Sequence, residues 1–486
     1  MPGSYVPPGV DYLRFLPEII LTAFGLVIMM LEPLTAPARK FRLGILALVG
    51  IAAAFATDCW AYFDLGPAFH NMIVVDGYAT FFRALVLVVG FLCILPSFSY
   101  LDREGAQSGE YYALILFSLV GQCVLATASN LIMVFIGLEI SSIATYVLAG
   151  YLRTDRRNNE ASMKYFLLGS FATAFLLYGI AWIYGLTGST DLQEIRVVLE
   201  QSTHSGLVTG LAAALIFVGF AFKVSVAPFQ IWAPDVYQGA PAPVTAFMSA
   251  GPKAAAFAVF FRVFLTSFQP MEGSWIPLIW GCALATMIIG NVAALVQTNV
   301  KRLLGYSSIA HAGYVLIALT ADSRIGTAAA MFYLASYALM NIGAFIVISH
   351  IAARNERYVR IDDLAGLARR EPATAALLAI FVFSLIGVPL TGGFFGKFYV
   401  FQAALNSHLI WLTVLGLINS AIGAYYYLKI VVAMYMHEPG PAVLQIERPA
   451  AGLNLAIWAS AIGTLFLGIF PSPLISFVSA SASALH

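Results

Sequence analysis

Apolar runs of about twenty residues follow one another along this chain, separated by short polar connections. A helix needs about 20 apolar residues to cross the hydrocarbon of a bilayer. Fourteen segments meet that requirement, at 15–33, 43–63, 77–99, 110–127, 130–151, 163–187, 206–228, 241–265, 274–297, 303–320, 326–350, 372–404, 409–436 and 452–476. The seventh is expected to continue as a short piece near 229–238. The twelfth is too long and is broken by Gly and Pro. The runs are continuous rather than alternating, which excludes outer-membrane strands. Composition agrees: 60% of the 486 residues are hydrophobic and 10% charged, against about 45–50% and about 25% in soluble domains. An all-α polytopic membrane protein follows.

The first run comes after an Asp11/Arg14 pair, not a basic region, so it reads as a first membrane helix rather than a cleavable signal. Net charge is +1, which offers no basic face for nucleic acid. The cysteines Cys59, Cys93, Cys123 and Cys282 are widely spaced. They are expected to be buried free thiols, and they do not make an iron–sulfur or zinc site.

With the N-terminus outside, fifteen of the 25 Lys and Arg residues fall on cytoplasmic connections, three outside and seven within the segments. The bias predicts an even number of crossings with both termini on the outer side. A short repeat is also visible. Ser141-Ser142-Ile143-Ala144 recurs as Ser307-Ser308-Ile309-Ala310, five segments later, and each runs on into Tyr-Val-Leu. Val226-Ala227-Pro228 and Gly387-Val388-Pro389 are likewise five segments apart. Two inverted five-helix units with broken helices are the transporter pattern. The expected divisions are 1–105, a three-helix region; 106–268 and 269–440, the repeats; and 441–486, a last helix and tail.

A charge at the bilayer centre costs roughly 2.5–3.5 kcal/mol on insertion scales. Yet Glu139, Lys223, Lys253, Lys397 and His311 all lie inside apolar segments. They must face the bundle interior or water. A static ion pair is the structural alternative for Glu139 and Lys223, and snorkelling for Lys397. His311 is also a common interior hydrogen-bonding residue. Lys253 has no acidic partner in its own segment, which suits a group that gains and loses a proton. Lys164 follows Glu160 by four residues, a spacing for a local ion pair. Arg83, Arg262 and Lys429 are expected at the interface or in helix packing. Pro228 and Pro234 lie just beyond Lys223, Pro252 precedes Lys253, and Pro389 with Gly392-Gly393 precedes Lys397. Proline kinks helices and frees carbonyls, which inside a membrane need water or protein partners. Kinks and water are therefore expected beside the lysines, making a proton relay. No P-loop, dinucleotide fingerprint or nucleophile motif is present.

These residues carry a resemblance. Glu160-Ala161-Ser162-Met163-Lys164-Tyr165-Phe166-Leu167-Leu168-Gly169 is one part of it. Ala227-Pro228-Phe229-Gln230-Ile231-Trp232-Ala233-Pro234-Asp235-Val236-Tyr237-Gln238-Gly239-Ala240-Pro241 is another. Pro252-Lys253-Ala254-Ala255, Lys301-Arg302-Leu303-Leu304-Gly305-Tyr306-Ser307-Ser308-Ile309-Ala310-His311-Ala312-Gly313-Tyr314 and Gly396-Lys397-Phe398-Tyr399 complete it. The text resembles the antiporter-like membrane subunits of respiratory complex I over nearly the whole chain, most specifically between about 130 and 430.

The resemblance implies about fourteen transmembrane helices, two inverted repeats and discontinuous helices seven and twelve. It implies a proton channel in which Glu139 and Lys223 form the input half, Lys253 the connection and Lys397 the exit, with His311 on the central axis. Lys164 joins the relay by the same resemblance. It further implies a subunit of a proton-translocating NADH–quinone oxidoreductase in a bacterial inner membrane, beside homologous antiporter-like subunits. No cofactor is expected in this chain; NADH, FMN, iron–sulfur clusters and quinone belong to partner subunits. The halves differ at the charges, since Gly305 falls opposite Glu139 and Ser384 opposite Lys223. Two rivals remain. A multi-subunit cation/proton antiporter would share the fold, but carboxylates for sodium are scarce within the segments. A spacer that no longer pumps would not keep costly membrane charges.

Overall fold

A computed structural model of the chain describes residues 7–201, 206–446 and 448–486. Among the described residues it is built of helices, with one antiparallel hairpin of β1 (Gly66–Ala68) and β2 (Ile73–Val75), in which Gly66 faces Val75. The main helices are α1 (Leu16–Leu31), α2 (Phe41–Ala61), α3 (Gly77–Glu104), α4 (Gly109–Thr127), α5 (Leu131–Ala149) and α6 (Arg156–Thr187). Then come α7 (Gly206–Lys223), the short α8 (Trp232–Gly239), α9 (Ala242–Thr266), α10 (Glu272–Leu295), α11 (Val300–Thr320) and α12 (Arg324–Ile351). The chain finishes with α13 (Pro372–Ile386), α14 (Gly392–Asn406), α15 (Ile410–Met436), α16 (Ala451–Ile469) and α17 (Ser472–Ser481). Among the described residues twelve helices are long and apolar enough to cross a membrane. Two shorter apolar ones, α1 and α13, fall on the first and twelfth expected segments.

Local chemistry sets where the helices start. Asn130, Asp155 and Asn299 each accept a backbone N–H from the first turn of α5, α6 and α11, meeting donors that have no partner inside the helix. The Asp155 cap starts α6 at Arg156, seven residues before the sequence-based start, so the helix carries two further polar turns. Asp76 caps α3 through Ala79 N and also takes Arg262 on α9 at 2.8 and 3.0 Å. Arg262 is thus a packing residue. So is Arg83, whose Nη2 lies 2.6 Å from Glu18 with both side chains fully buried.

α9 occupies the centre: all 25 of its residues are buried. A helix that is apolar on every side belongs in such a position. It packs against α3, α4, α12 and α5, and α11 and α12 are nearly as enclosed. Pro252 does not interrupt α9, which runs on as a helix from Ala242 to Thr266. The proline is accommodated within the continuous helix. The two real interruptions lie elsewhere. One separates α7 from α8, with Ser225 at φ +62°. The other separates α13 from α14, with Gly387 at φ +93°.

The arginine-bearing connections meet at one end of the bundle. Arg157 donates to Asn355 O, Lys301 pairs with Glu356 at 2.6 Å, and Arg103 donates to Ser349 O. The cysteines are free, as expected, but only Cys93 and Cys123 are buried. Cys59 is exposed and Cys282 half-buried, because each lies on an outward face of its helix.

Candidate functional site

Lys223 is the last residue of α7, and it is 4% exposed. Its Nζ donates to Ser142 Oγ on α5 at 2.7 Å and to Tyr165 Oη on α6 at 3.1 Å. The rings of Tyr165 and Tyr146 lie within 5.2 and 5.7 Å of the ammonium, close enough for cation–π attraction. Tyr165 is in turn stacked on Trp232 of α8, centroids 4.5 Å apart. The Trp232 indole donates to Phe222 O at the end of α7. The broken helix is thereby stitched across its gap.

Lys253 stands in the middle of α9. Its Nζ donates to Ser308 O at 2.9 Å and to Ser308 Oγ at 2.5 Å, both on α11. One turn further along α11, His311 is held between two tyrosines. Nδ1 lies 2.7 Å from Tyr333 Oη and Nε2 lies 3.2 Å from Tyr427 Oη. A hydroxyl donates or accepts, so this pair accommodates either ring tautomer and the doubly protonated ring.

Lys397 lies in α14, just past the second interruption. Its ammonium has three protons, and all three are used: Leu385 O at 3.0 Å, Ile386 O at 2.8 Å and Ser420 Oγ at 2.8 Å. The two carbonyls are the last of α13, where a helix leaves acceptors without partners and carries the negative end of its dipole. Breaking the helix there makes the lysine's site. Tight crossings fix it. A Cβ on Gly393 would fall 1.9 Å from Ser384 O. The Tyr314 ring lies 5.0 Å from the ammonium, and Tyr314 connects through Asn291 to Tyr426.

Lys223, Lys253 and Lys397 thus share one arrangement. Each is buried, and among the described residues none pairs with a carboxylate; hydroxyls and backbone carbonyls take every bond. A hydrogen bond from a charged donor is worth about 1.5–3 kcal/mol, which offsets the cost of the buried charge. A neutral amine still fits a hydroxyl, because the hydroxyl then donates. Such surroundings let a proton leave without a rearranged counterion.

The structure departs from the sequence-based site in two places. Glu139 and Lys223 do not form an ion pair. Glu139 is half-buried on α5 and stands in no ion pair among the described residues, while Ser142, one turn on, meets the lysine. The aromatic faces of Tyr146 and Tyr165 lie at the Ser142 turn and draw the ammonium there. Lys164 is not on the buried line either. Its side chain is 40% exposed at the arginine-rich end, 2.7 Å from Glu160 and 2.6 Å from Asp235. Asp235 also holds Arg302 at 2.6 Å. Its neighbour Tyr165 points the other way, toward Lys223, since successive helical residues diverge by about 100°. Sequence reasoning missed the tyrosines and serines that surround the lysines. The repeated Ser-Ser pairs were the available signal: the second serine of each, Ser142 and Ser308, accepts a lysine ammonium.

Residues 128–423 match the family model described as NADH:quinone oxidoreductase/Mrp antiporter, TM. A curated relative, NADH-quinone oxidoreductase subunit N 1 of Solibacter usitatus, is 60% identical, with all of both chains covered. NADH-quinone oxidoreductase subunit N 2 of Koribacter versatilis is 49% identical over 99% of each. Among solved structures, a chain of respiratory complex I from Thermus thermophilus superimposes with a TM-score of 0.82 at 33% identity, covering 96% of this chain and 100% of that one. A chain of the Mrp complex from Dietzia shares the fold, with a TM-score of 0.85 at 20% identity over 97% of each. The chain belongs to the NADH:quinone oxidoreductase/Mrp antiporter transmembrane family and, within it, to the subunit N group of NADH–quinone oxidoreductase, the enzyme complex of which it is a membrane-embedded, multi-span subunit.

Proposed function

We propose that this subunit carries protons across the membrane along Lys223, Lys253, His311 and Lys397, driven by quinone reduction in partner subunits. The observation that carries the reading is the shared setting of the three lysines, buried and bonded only to hydroxyls and carbonyls. A proton received at Lys223, beside Ser142 and Tyr165, passes on to Lys253, which Ser308 of α11 holds. Ser308 and His311 are three residues apart, about 4.5 Å of helix, so the second half begins on the same face. His311 and its tyrosines lead on toward Tyr314 and Lys397, which releases the proton.

Glu139 acts at the input end by electrostatics rather than as a hydrogen-bonded partner. When ionised it favours the ammonium one turn away at Ser142; when neutralised it releases that preference. Its half-exposed position lets charge on an adjoining subunit reach it. Lys164 serves at the rim, where its pairing with Asp235 ties α6 to α8.

The redox groups, flavin and iron–sulfur clusters, and the NADH and quinone sites lie in partner subunits, and this chain contributes no redox centre. With fourteen crossings, counting α7 with α8 and α13 with α14 as one each, both termini share one side, and the Lys/Arg bias favours the outer side of a bacterial inner membrane. Homologous antiporter-like subunits adjoin it. Residues 106–268 and 269–440 then form two inverted repeats, which the matching roles of Ser142 and Ser308 support.

The test is Lys223→Ala in the assembled complex. Donor-driven quinone reduction is retained in detergent, while protons moved per electron in proteoliposomes fall by this subunit's share. An unchanged proton-to-electron ratio contradicts the proposal.

A further inference from the structure

At the arginine-rich end lies a cavity of about 540 Å³, bounded by the ends of α3 and α12, residues 442–446 and 448–450 and the start of α16. Arg103, Arg354 and Arg448 line it, and its other ionisable groups among the described residues are His350 and Asp102. Arg103 is fixed by Ser349 O and Glu104, and its Nη2 is buried without an acceptor among the described residues. Arg354 and Arg448 form no ion pair among the described residues, and His350 is turned to Glu371 at 3.3 Å. Among the described residues, three guanidinium groups therefore line the cavity with one carboxylate.

The loop that presents Arg354 is held, not loose. Ala353, Asn355 and Glu356 all have positive φ, at 56°, 57° and 46°. Non-glycine residues keep that conformation only when their surroundings enforce it. Here the Glu356 carboxylate enforces it, accepting from Lys301, Tyr100 and Ala242 N. The cavity wall is apolar at Ile351 and Leu453, where α12 ends and α16 has just begun. A basic mouth over an apolar wall, at the level where helices leave the membrane, matches the phosphate and acyl chains of an anionic lipid. Guanidinium groups bind phosphate bidentately through fixed pairs of N–H donors.

We propose that this cavity binds the phosphate headgroup of an anionic phospholipid from the leaflet at the arginine-rich end, clasped by Arg103, Arg354 and Arg448. The test uses the purified whole complex in vesicles of about one part phosphatidylglycerol to four parts phosphatidylcholine, with a photoactivatable phosphatidylglycerol as probe and peptide mapping of the label. The expected result is label in peptides spanning 345–360 and 440–455. Excess unlabelled phosphatidylglycerol displaces it and phosphatidylcholine does not. Arg354→Gln with Arg448→Gln lowers it about tenfold, with quinone reduction retained. Equal displacement by phosphatidylcholine overturns the proposal, as does undiminished label in the double variant. Displacement by inorganic phosphate as effectively as by the lipid assigns the arginines to a free anion and overturns the lipid. A cross-link from this cavity to an acidic segment of an adjoining subunit, in place of lipid, overturns it in favour of a protein contact. The competition arms on the unsubstituted complex decide the matter even where the double variant does not assemble.

Discussion

Lys397 shows how a single residue is built into this fold. Its three protons go to the two carbonyls that end α13 and to Ser420, so the interruption at Gly387 exists in the same few ångströms as the lysine it serves. A Cβ at 387 would meet Lys397 Cδ at 3.1 Å and would have to adopt φ +93°. At Gly393 the crossing is closer still. Gly393→Ala places a methyl 1.9 Å from Ser384 O, and overpacking of this kind costs typically about 1–3 kcal/mol. The expected outcome is a lower thermal midpoint and a smaller yield of assembled complex, read by native electrophoresis. An unchanged midpoint would show that α13 and α14 separate freely.

The lysines were legible in the sequence because a charge in an apolar run has few reasons to be there. Ser142, Ser308, Ser420 and the tyrosines were not. Such residues occur throughout membrane helices, and only the folded packing of α5, α6, α11 and α15 says which ones face an ammonium. Lys164 pairs with Glu160 at the rim, as its spacing indicated, while the uncharged Tyr165 beside it touches Lys223.

Among the elements, the short helix α8 connects the rim with the interior. Asp235 on α8 takes Lys164 and Arg302 at the arginine-rich end, and Trp232 on the same helix stacks on Tyr165. Two aromatic rings, Trp232 and Tyr165, thus lie between these ion pairs and Lys223. Lys164 is 40% exposed, and exposed ion pairs contribute only about 0–1 kcal/mol. Lys164→Ala is therefore expected to lower proton pumping by less than half the loss in Lys223→Ala, with Arg302 still holding Asp235. Parallel measurements of protons moved per electron check this. Equal losses would place Lys164 on the proton line itself. The two breaks were foreseen from Pro and Gly. At Pro252, by contrast, α9 runs on through the proline, buried along its whole length against neighbouring helices.

The whole molecule was the most legible scale. Length of apolar run and sparse charge required a helical membrane protein, and the motif text indicated its family before any packing was known. What the sequence did not show is how the ends are finished. Between α11 and α12, Asp322 lies beside Glu272 from the start of α10, and burial together with this like charge pushes its carboxyl up to about 7. An unfolded aspartate titrates near 4. Between about pH 4 and pH 7 the folded chain thus binds the extra proton, so stability falls as pH rises through that window and levels above it. Asp322→Asn is expected to flatten that part of the profile of thermal midpoint against pH. A profile as steep as before would assign the dependence to other groups.

In the proposed mechanism Lys223 and Lys253 belong to one proton line. The most direct measurement is the proton-to-electron ratio of the reconstituted complex carrying Lys223→Ala, Lys253→Ala or both. Groups that act as a unit are strongly non-additive. Each single substitution is expected to remove this subunit's share of pumping, and the double variant to lose no more than the worse single one. Losses that add would contradict the single line, because they would mean that the two lysines move protons by separate routes.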